Sequence, residues 1–223
     1  MRSVGALVGV LLAGLAPTPA RAFVPPTFAP ATDLAGTYAF SGTDPDGNPE
    51  TPGIARISRL APNVYAMVEE SEGKVISASR CLRDGDVFAC GWGSGPTSDA
   101  GTAILTRRAD GGFEGTLLEV GRLESRRARA VGTGPSYTLE AFSSGIAQPV
   151  GAINLVYGNR GIAVMTQPMA RGTAFLEGDL LVLGVGTQGF AGTVVYRIVG
   201  RTLIGRWIDF SRSGVGTETL SRL

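Results

Sequence analysis

Beyond residue 32 the chain breaks into short apolar or alternating runs, punctuated by Gly, Asn and Asp about every 8 to 12 residues. Alternation with a period of two belongs to strands, and no segment sustains the 3.6-residue period of an amphipathic helix. The pattern predicts sixteen strands and almost no helix. The first eight lie near Gly36–Thr43, Gly53–Arg59, Val64–Glu70, Val75–Leu82, Val87–Trp92, Thr102–Arg108, Phe113–Glu119 and Arg126–Val131. The second eight lie near Tyr137–Phe142, Gly151–Tyr157, Ile162–Gln167, Gly172–Leu176, Leu180–Val185, Gly192–Ile198, Leu203–Phe210 and Gly216–Ser221.

The two sets are related. The segment from Asp84-Gly85-Asp86 to Trp92-Gly93 reappears as Glu177-Gly178-Asp179 to Val185-Gly186. Ala100-Gly101-Thr102 matches Ala191-Gly192-Thr193, and Phe113-Glu114-Gly115 matches Leu203-Ile204-Gly205, in the same order and at nearly constant spacing. Self-similarity of this kind marks a duplicated unit. The expected division is 33–133 and 134–223, joined at Gly132-Thr133-Gly134-Pro135. Short connections force neighbouring strands to be antiparallel, and eight strands in an up-and-down meander close a small barrel. The fold class is therefore all-β: two tandem copies of an eight-stranded antiparallel up-and-down barrel. One larger barrel or a sandwich drawing on both copies is the alternative.

Gly36-Thr37-Tyr38, Asp46-Gly47, Leu203-Ile204-Gly205-Arg206-Trp207 and Gly216-Thr217-Glu218-Thr219-Leu220 resemble positions of secreted bacterial avidin-like or lipocalin-like β-barrel repeat proteins, some of which are loosely labelled fibronectin-binding. The resemblance covers most of each copy and rests on structural Gly, aromatic and turn positions. It implies a barrel fold, and no biotin-binding residues are carried over.

Residues 1–22 read as a signal peptide: Arg2 supplies the charged start, Val4–Leu15 the apolar stretch and Ala20-Arg21-Ala22 a small-x-small cleavage site before Phe23. Residues 23–32, with Pro25, Pro26 and Pro30, read as a proline-rich arm. The expected location is periplasmic or secreted. There the only two cysteines, Cys81 and Cys90, would form a disulfide across the Asp84-Gly85 hairpin. Without Arg2 and Arg21 the chain holds 18 basic against 19 acidic residues, so no global field draws it to nucleic acid. An outer-membrane barrel is disfavoured, because the strands mostly fall short of the roughly 9 to 11 residues such barrels use. The chain is not expected to span a membrane.

The chain has no His, which removes the commonest general base and metal ligand. Asp44-Pro45-Asp46-Gly47-Asn48 has its Gly at the wrong place for an EF-hand loop and reads as a turn. Arg107, Arg108, Arg122, Arg126, Arg127 and Arg129 could make an anion-binding patch, but Glu114, Glu119 and Glu124 interleave with them. Glu69, Glu70 and Glu72 could be offered as glycosidase carboxylates and suit a hairpin end better. No catalytic residue, metal site or cofactor is assigned.

Alternation puts Leu203, Gly205, Trp207 and Asp209 on one face, with Phe113, Gly115, Leu117 and Glu119 as their counterparts. Trp207, Trp92, Asp209 and Glu119 are thus the candidate ligand-binding residues, an aromatic floor with rim acids. The expected function is non-enzymatic binding of a small apolar or amphipathic ligand, or of an extracellular macromolecule held on loops. A structural or adhesion protein with a solid core is the alternative.

Overall fold

The computed structural model describes residues 33–96, 99–155, 162–167, 170–187 and 189–223, with only the backbone described for 162–167, 170 and 171. The expected leader, 1–22, and arm, 23–32, lie outside the described residues. Sixteen strands and no helix are found among the described residues. The first eight are β1 (Gly36–Thr43), β2 (Gly53–Ala61), β3 (Val64–Ser71), β4 (Lys74–Asp84), β5 (Val87–Ser94), β6 (Ala100–Arg107), β7 (Phe113–Leu118) and β8 (Arg126–Val131). The others are β9 (Ser136–Ser143), β10 (Ile146–Asn154), β11 (Ile162–Gln167), β12 (Ala170–Glu177), β13 (Leu180–Gly186), β14 (Phe190–Val199), β15 (Thr202–Asp209) and β16 (Gly216–Arg222).

They pair antiparallel into two closed eight-stranded barrels, but the barrels are not tandem. The first runs β1-β2-β3-β4-β5-β14-β15-β16 and back to β1; the second runs β6-β7-β8-β9-β10-β11-β12-β13 and back to β6. Its β10–β11 seam rests on one described pair, Asn154 with Val164. The expected division at residues 133 and 134 is therefore corrected, and so is the single larger barrel or sandwich. Each barrel takes five strands from one copy and three from the other. The physical reason is the likeness of the copies. Where β5 would meet β6, it meets the equivalent strand β14, with Val194 opposite Cys90; in the second barrel Ala103 of β6 stands opposite Leu183 of β13. The exchanged edges offer matching registers, so no ladder is lost in the trade. The chain is an internally strand-exchanged duplication, the intramolecular counterpart of domain swapping.

The exchange also creates a third apolar cluster, between the barrels. Val64, Leu82, Val87, Ala89, Val195 and Ile208 from the outer face of the first barrel pack with Ile104, Leu118, Phe175 and Val182 of the second. Strands β5, β6, β13 and β14 are consequently buried on both faces over most of their length. Matched threonines stitch the contact. Thr102 Oγ1 donates to the Arg80 carbonyl (2.7 Å) and accepts from the Gly91 amide (2.7 Å), while the Thr173 and Thr193 hydroxyls are 2.5 Å apart.

Strand boundaries follow the sequence pattern closely except at β10, which begins at Ile146 rather than Gly151. A two-residue turn, Ser144 (φ 49°) and Gly145 (φ 80°), reverses the chain early, and a register shift between Pro149 and Gly151 accommodates the proline inside the strand. The Asp84-Gly85 and Glu177-Gly178 turns share a glycine φ of 57°, a repeat visible in the backbone as well as the residues. Cys81 and Cys90 are directly opposed on β4 and β5 and joined in a disulfide, with Cα atoms 4.0 Å apart, inside the first barrel.

Candidate functional site

The first barrel is only partly filled. Its closed end is packed by Tyr38, Ile57, Tyr65, Phe88, Leu203 and Leu220. Its other end holds a cavity of about 550 Å³, whose depth is lined by Met67, Trp92, Val194 and Trp207 and whose rim includes Asp44, Lys74 and Arg212. Inward alternation on each strand delivers these side chains: Met67 and Glu69 from β3, Trp207 from β15, Glu218 from β16. Trp92 and Trp207 meet edge to face with centroids 5.9 Å apart, a favoured arrangement for aromatic pairs. Glycines make room for the rings. A Cβ on Gly216 would lie 2.2 Å from Cε2 of Trp207, and one on Gly205 would lie 2.3 Å from Cδ1 of Tyr196.

Beneath the tryptophans lies a buried acid network. Tyr196 donates its hydroxyl proton to Glu218 Oε2, and Ser77 donates to Glu69 Oε2. Glu218 is 7% exposed and Tyr196 is fully buried. Among the described residues neither Glu69 nor Glu218 has an arginine or lysine partner, whereas most other acids in the barrels do. Burial, followed by the neighbouring Glu69, pushes the Glu218 carboxyl well above the usual carboxylate range. Burial likewise raises Glu69, opposed by the hydrogen bonds from Ser77 and Glu218. Glu50, from the β1–β2 connection, is also raised, by burial and then by Glu69. The tyrosine is held neutral by burial and by Glu218. Two carboxyls in hydrogen-bonding contact cannot both ionise cheaply, so the pair shares a proton, with Glu218 as the donor. Even so, Glu69 Oε1 and Ser79 Oγ are buried without a partner.

The rim is tied down by Arg212. Its guanidinium reaches Asp44 Oδ2 (3.2 Å) and Asp209 Oδ2 (3.4 Å) and lies 5.4 Å from the Trp207 ring. Asp44 also accepts from the amides of Asp46 (2.9 Å) and Asn48 (2.8 Å) and from the Asn48 side chain, bonds that lower its pKa. Its carboxylate is thereby spent within the turn expected from the sequence.

Of the four candidates, Trp92 and Trp207 are brought together in the cavity wall. Asp209 is next to it but turned to the loop, where Oδ1 accepts from the Ser211 amide, the Ser211 hydroxyl and the Arg212 amide, each at 2.8 Å. Glu119 is elsewhere: β7 ends at Leu118, and Glu119 pairs with Arg122 (2.8 Å) and Arg126 in the second barrel. The arginines that could have made an anion-binding patch are neutralised throughout by Glu114, Glu119, Glu140, Asp110 and Asp179, as the interleaved acids imply. Glu69, Glu218, Tyr196 and Ser77 are the site residues that sequence reasoning did not assign.

The duplication supplies an internal control. Pairing registers equate Glu218 with Ala128 and Tyr196 with Leu105, through Gly205 and Gly115 respectively. By the same registers Trp207 corresponds to Leu117 and Trp92 to Val185. Ala128, Leu105, Leu117 and Val185 all belong to the packed core of the second barrel. Glu218, Tyr196 and both indoles thus have aliphatic counterparts in a barrel of the same topology, whereas the registers equate Glu69 with Gln167 and Ser79 with Gly172.

Among the described residues no group of three or more His, Cys, Asp or Glu could hold a metal ion, and no helix is long and apolar enough to cross a membrane. Comparison of the chain with protein-family models, curated proteins and solved structures finds no match.

Proposed function

We propose that this protein is a non-enzymatic binding protein of the periplasm or extracellular space, holding a small amphipathic molecule in the first barrel while the second serves as scaffold. The observation that carries this reading is the contrast between the barrels. Burying the Glu218 carboxyl and the Tyr196 phenol costs stability, and the second barrel closes the same fold with Ala128 and Leu105 at those positions and Leu117 and Val185 at those of the indoles. A costly arrangement that the fold does not require is one that function retains. The cavity volume falls within the roughly 300 to 1,000 Å³ of small-molecule sites, and its apolar walls with few convergent polar groups suit one. The buried disulfide fits an oxidising compartment.

Native mass spectrometry of the protein purified from its own host tests the reading. A co-purifying small molecule is expected, lost in Trp207→Ala and retained in Glu119→Gln, whose side chain lies in the other barrel. Adducts equally abundant in both variants, or none in the wild type together with no tryptophan fluorescence response to any amphipathic probe, would favour the structural or adhesion alternative.

A further inference from the structure

Among the described residues the acid pair of the cavity has no cation of its own. Asp44, Glu50, Glu69, Glu72 and Glu218 all line the cavity, against Lys74 and Arg212, and Arg212 is already engaged by Asp44 and Asp209. The deep carboxyls are faced by Ser77 from β4, Tyr196 from β14 and Glu50 from the β1–β2 connection, none of them positive. A buried acid pair is normally completed by a counter-charge or by coordination to a metal. With no third ligand in reach among the described residues, an inorganic ion is poorly served. The indole walls point the other way, because Trp faces attract organic cations and shield an apolar body.

Building on the binding function above, we propose that the ligand is an organic cation: its ammonium group seats on Glu69 and Glu218 and its apolar body lies against Trp92 and Trp207. Seating the ammonium expels the proton the two carboxyls share, so the exchange is one positive charge for another. Glu69 Oε1 and Ser79 Oγ, both buried without partners, then gain N–H donors.

The probes are ω-phenylalkylammonium ions with two to six methylenes, each matched with the corresponding alcohol and carboxylate, titrated against the wild-type protein by calorimetry in two buffers of different ionisation enthalpy. The best ammonium should bind at least tenfold tighter than its alcohol, with the carboxylate weaker still, and should release about one proton per site where the alcohol releases none. In Glu69→Gln/Glu218→Gln that preference should fall below threefold. The wild-type comparison stands even if this variant fails to fold. An alcohol or carboxylate that binds as tightly as the ammonium, or ammonium binding without proton release, overturns the cation assignment and leaves the binding function standing. Failure of all three classes to bind removes both.

Discussion

Replacing Glu218 by Gln should stabilise the protein, and more so as pH rises. In the unfolded chain a glutamate titrates near its ordinary value of 4.5, whereas in the folded barrel Glu218 keeps its proton to much higher pH because burial, Glu69 and Glu50 all oppose its charge. Folding therefore takes up a proton in the window from about pH 4.5 upward, and the wild type loses stability as pH rises through it. Gln cannot titrate, yet it preserves the shape, can accept from the Tyr196 hydroxyl and can donate to Glu69. At pH 4 the carboxyl and the amide are both neutral and the two proteins should agree within about 0.5 kcal/mol. At pH 8 the variant escapes the cost of a buried, cation-free carboxylate. A buried polar group left uncompensated costs about 1 to 3 kcal/mol, which sets the expected gain. Urea unfolding at pH 4, 6 and 8 reads the difference, with tryptophan fluorescence as the probe, since both indoles lie in this barrel. A variant less stable at pH 8, or a gain of equal size at all three pH values, would refute the electrostatic reasoning.

Gly205→Ala should destabilise by about 1 to 3 kcal/mol in urea unfolding, because its Cβ would lie 2.3 Å from the ring of a tyrosine with no free surface into which to move; an unchanged midpoint would show that the barrel wall yields there. The disulfide should withstand dithiothreitol in native buffer and open only in denaturant, both cysteines being fully buried. Its loss should cost about 2 to 3 kcal/mol, the loop between the cysteines being short. Alkylation followed by intact mass measurement checks this, and rapid modification of the native protein would contradict it. A proteolytic nick between Thr133 and Gly134 should leave residues 33–133 and 134–223 associated through the β5–β14 and β6–β13 ladders. Size-exclusion chromatography showing two separated fragments without denaturant would rule out the exchange.

Period-two alternation was enough to place the strands and to put Trp207 inward, because apolar inward positions recur along most of the described strands. The acid network was legible in principle and easily missed. Glu69 shares a face with Tyr65 and Met67, but two neighbouring acids and the following turn make it look like a hairpin end. Glu218 sits two residues from Leu220 on the inward face, inside a segment whose glycine and threonines suggest only barrel closure. Tyr196 lies in Val194-Val195-Tyr196, where burial on both faces erases the alternation that would have marked it. That same loss of alternation in β5, β6, β13 and β14 was the trace of the interface between the barrels. The strand exchange left no local trace. When β6 and β14 are equivalent, β5 carries the same pairing information for either, and only the short connections after β5 and β13 decide between them. Asp209 and Glu119 were misjudged for opposite reasons: one faces inward but is consumed by the turn after its strand, and the other lies one residue beyond its strand.

The exchange imposes an order on synthesis. Strands β6 to β13 are continuous in the chain, so the second barrel is complete once Gly186 has emerged into the compartment where the chain folds. Strands β1 to β5 are made earlier and must wait, as a sheet with two open edges, until β14 to β16 arrive. Open edges invite pairing with other chains. Closing the second barrel first brings the end of β5 beside the start of β14, replacing a loop of roughly 95 residues by one of about ten and lowering the closure cost by about 2 kcal/mol. The filled barrel thus acts as a jig for the hollow one, and the cavity is assembled from the first and last residues of the nascent chain to fold.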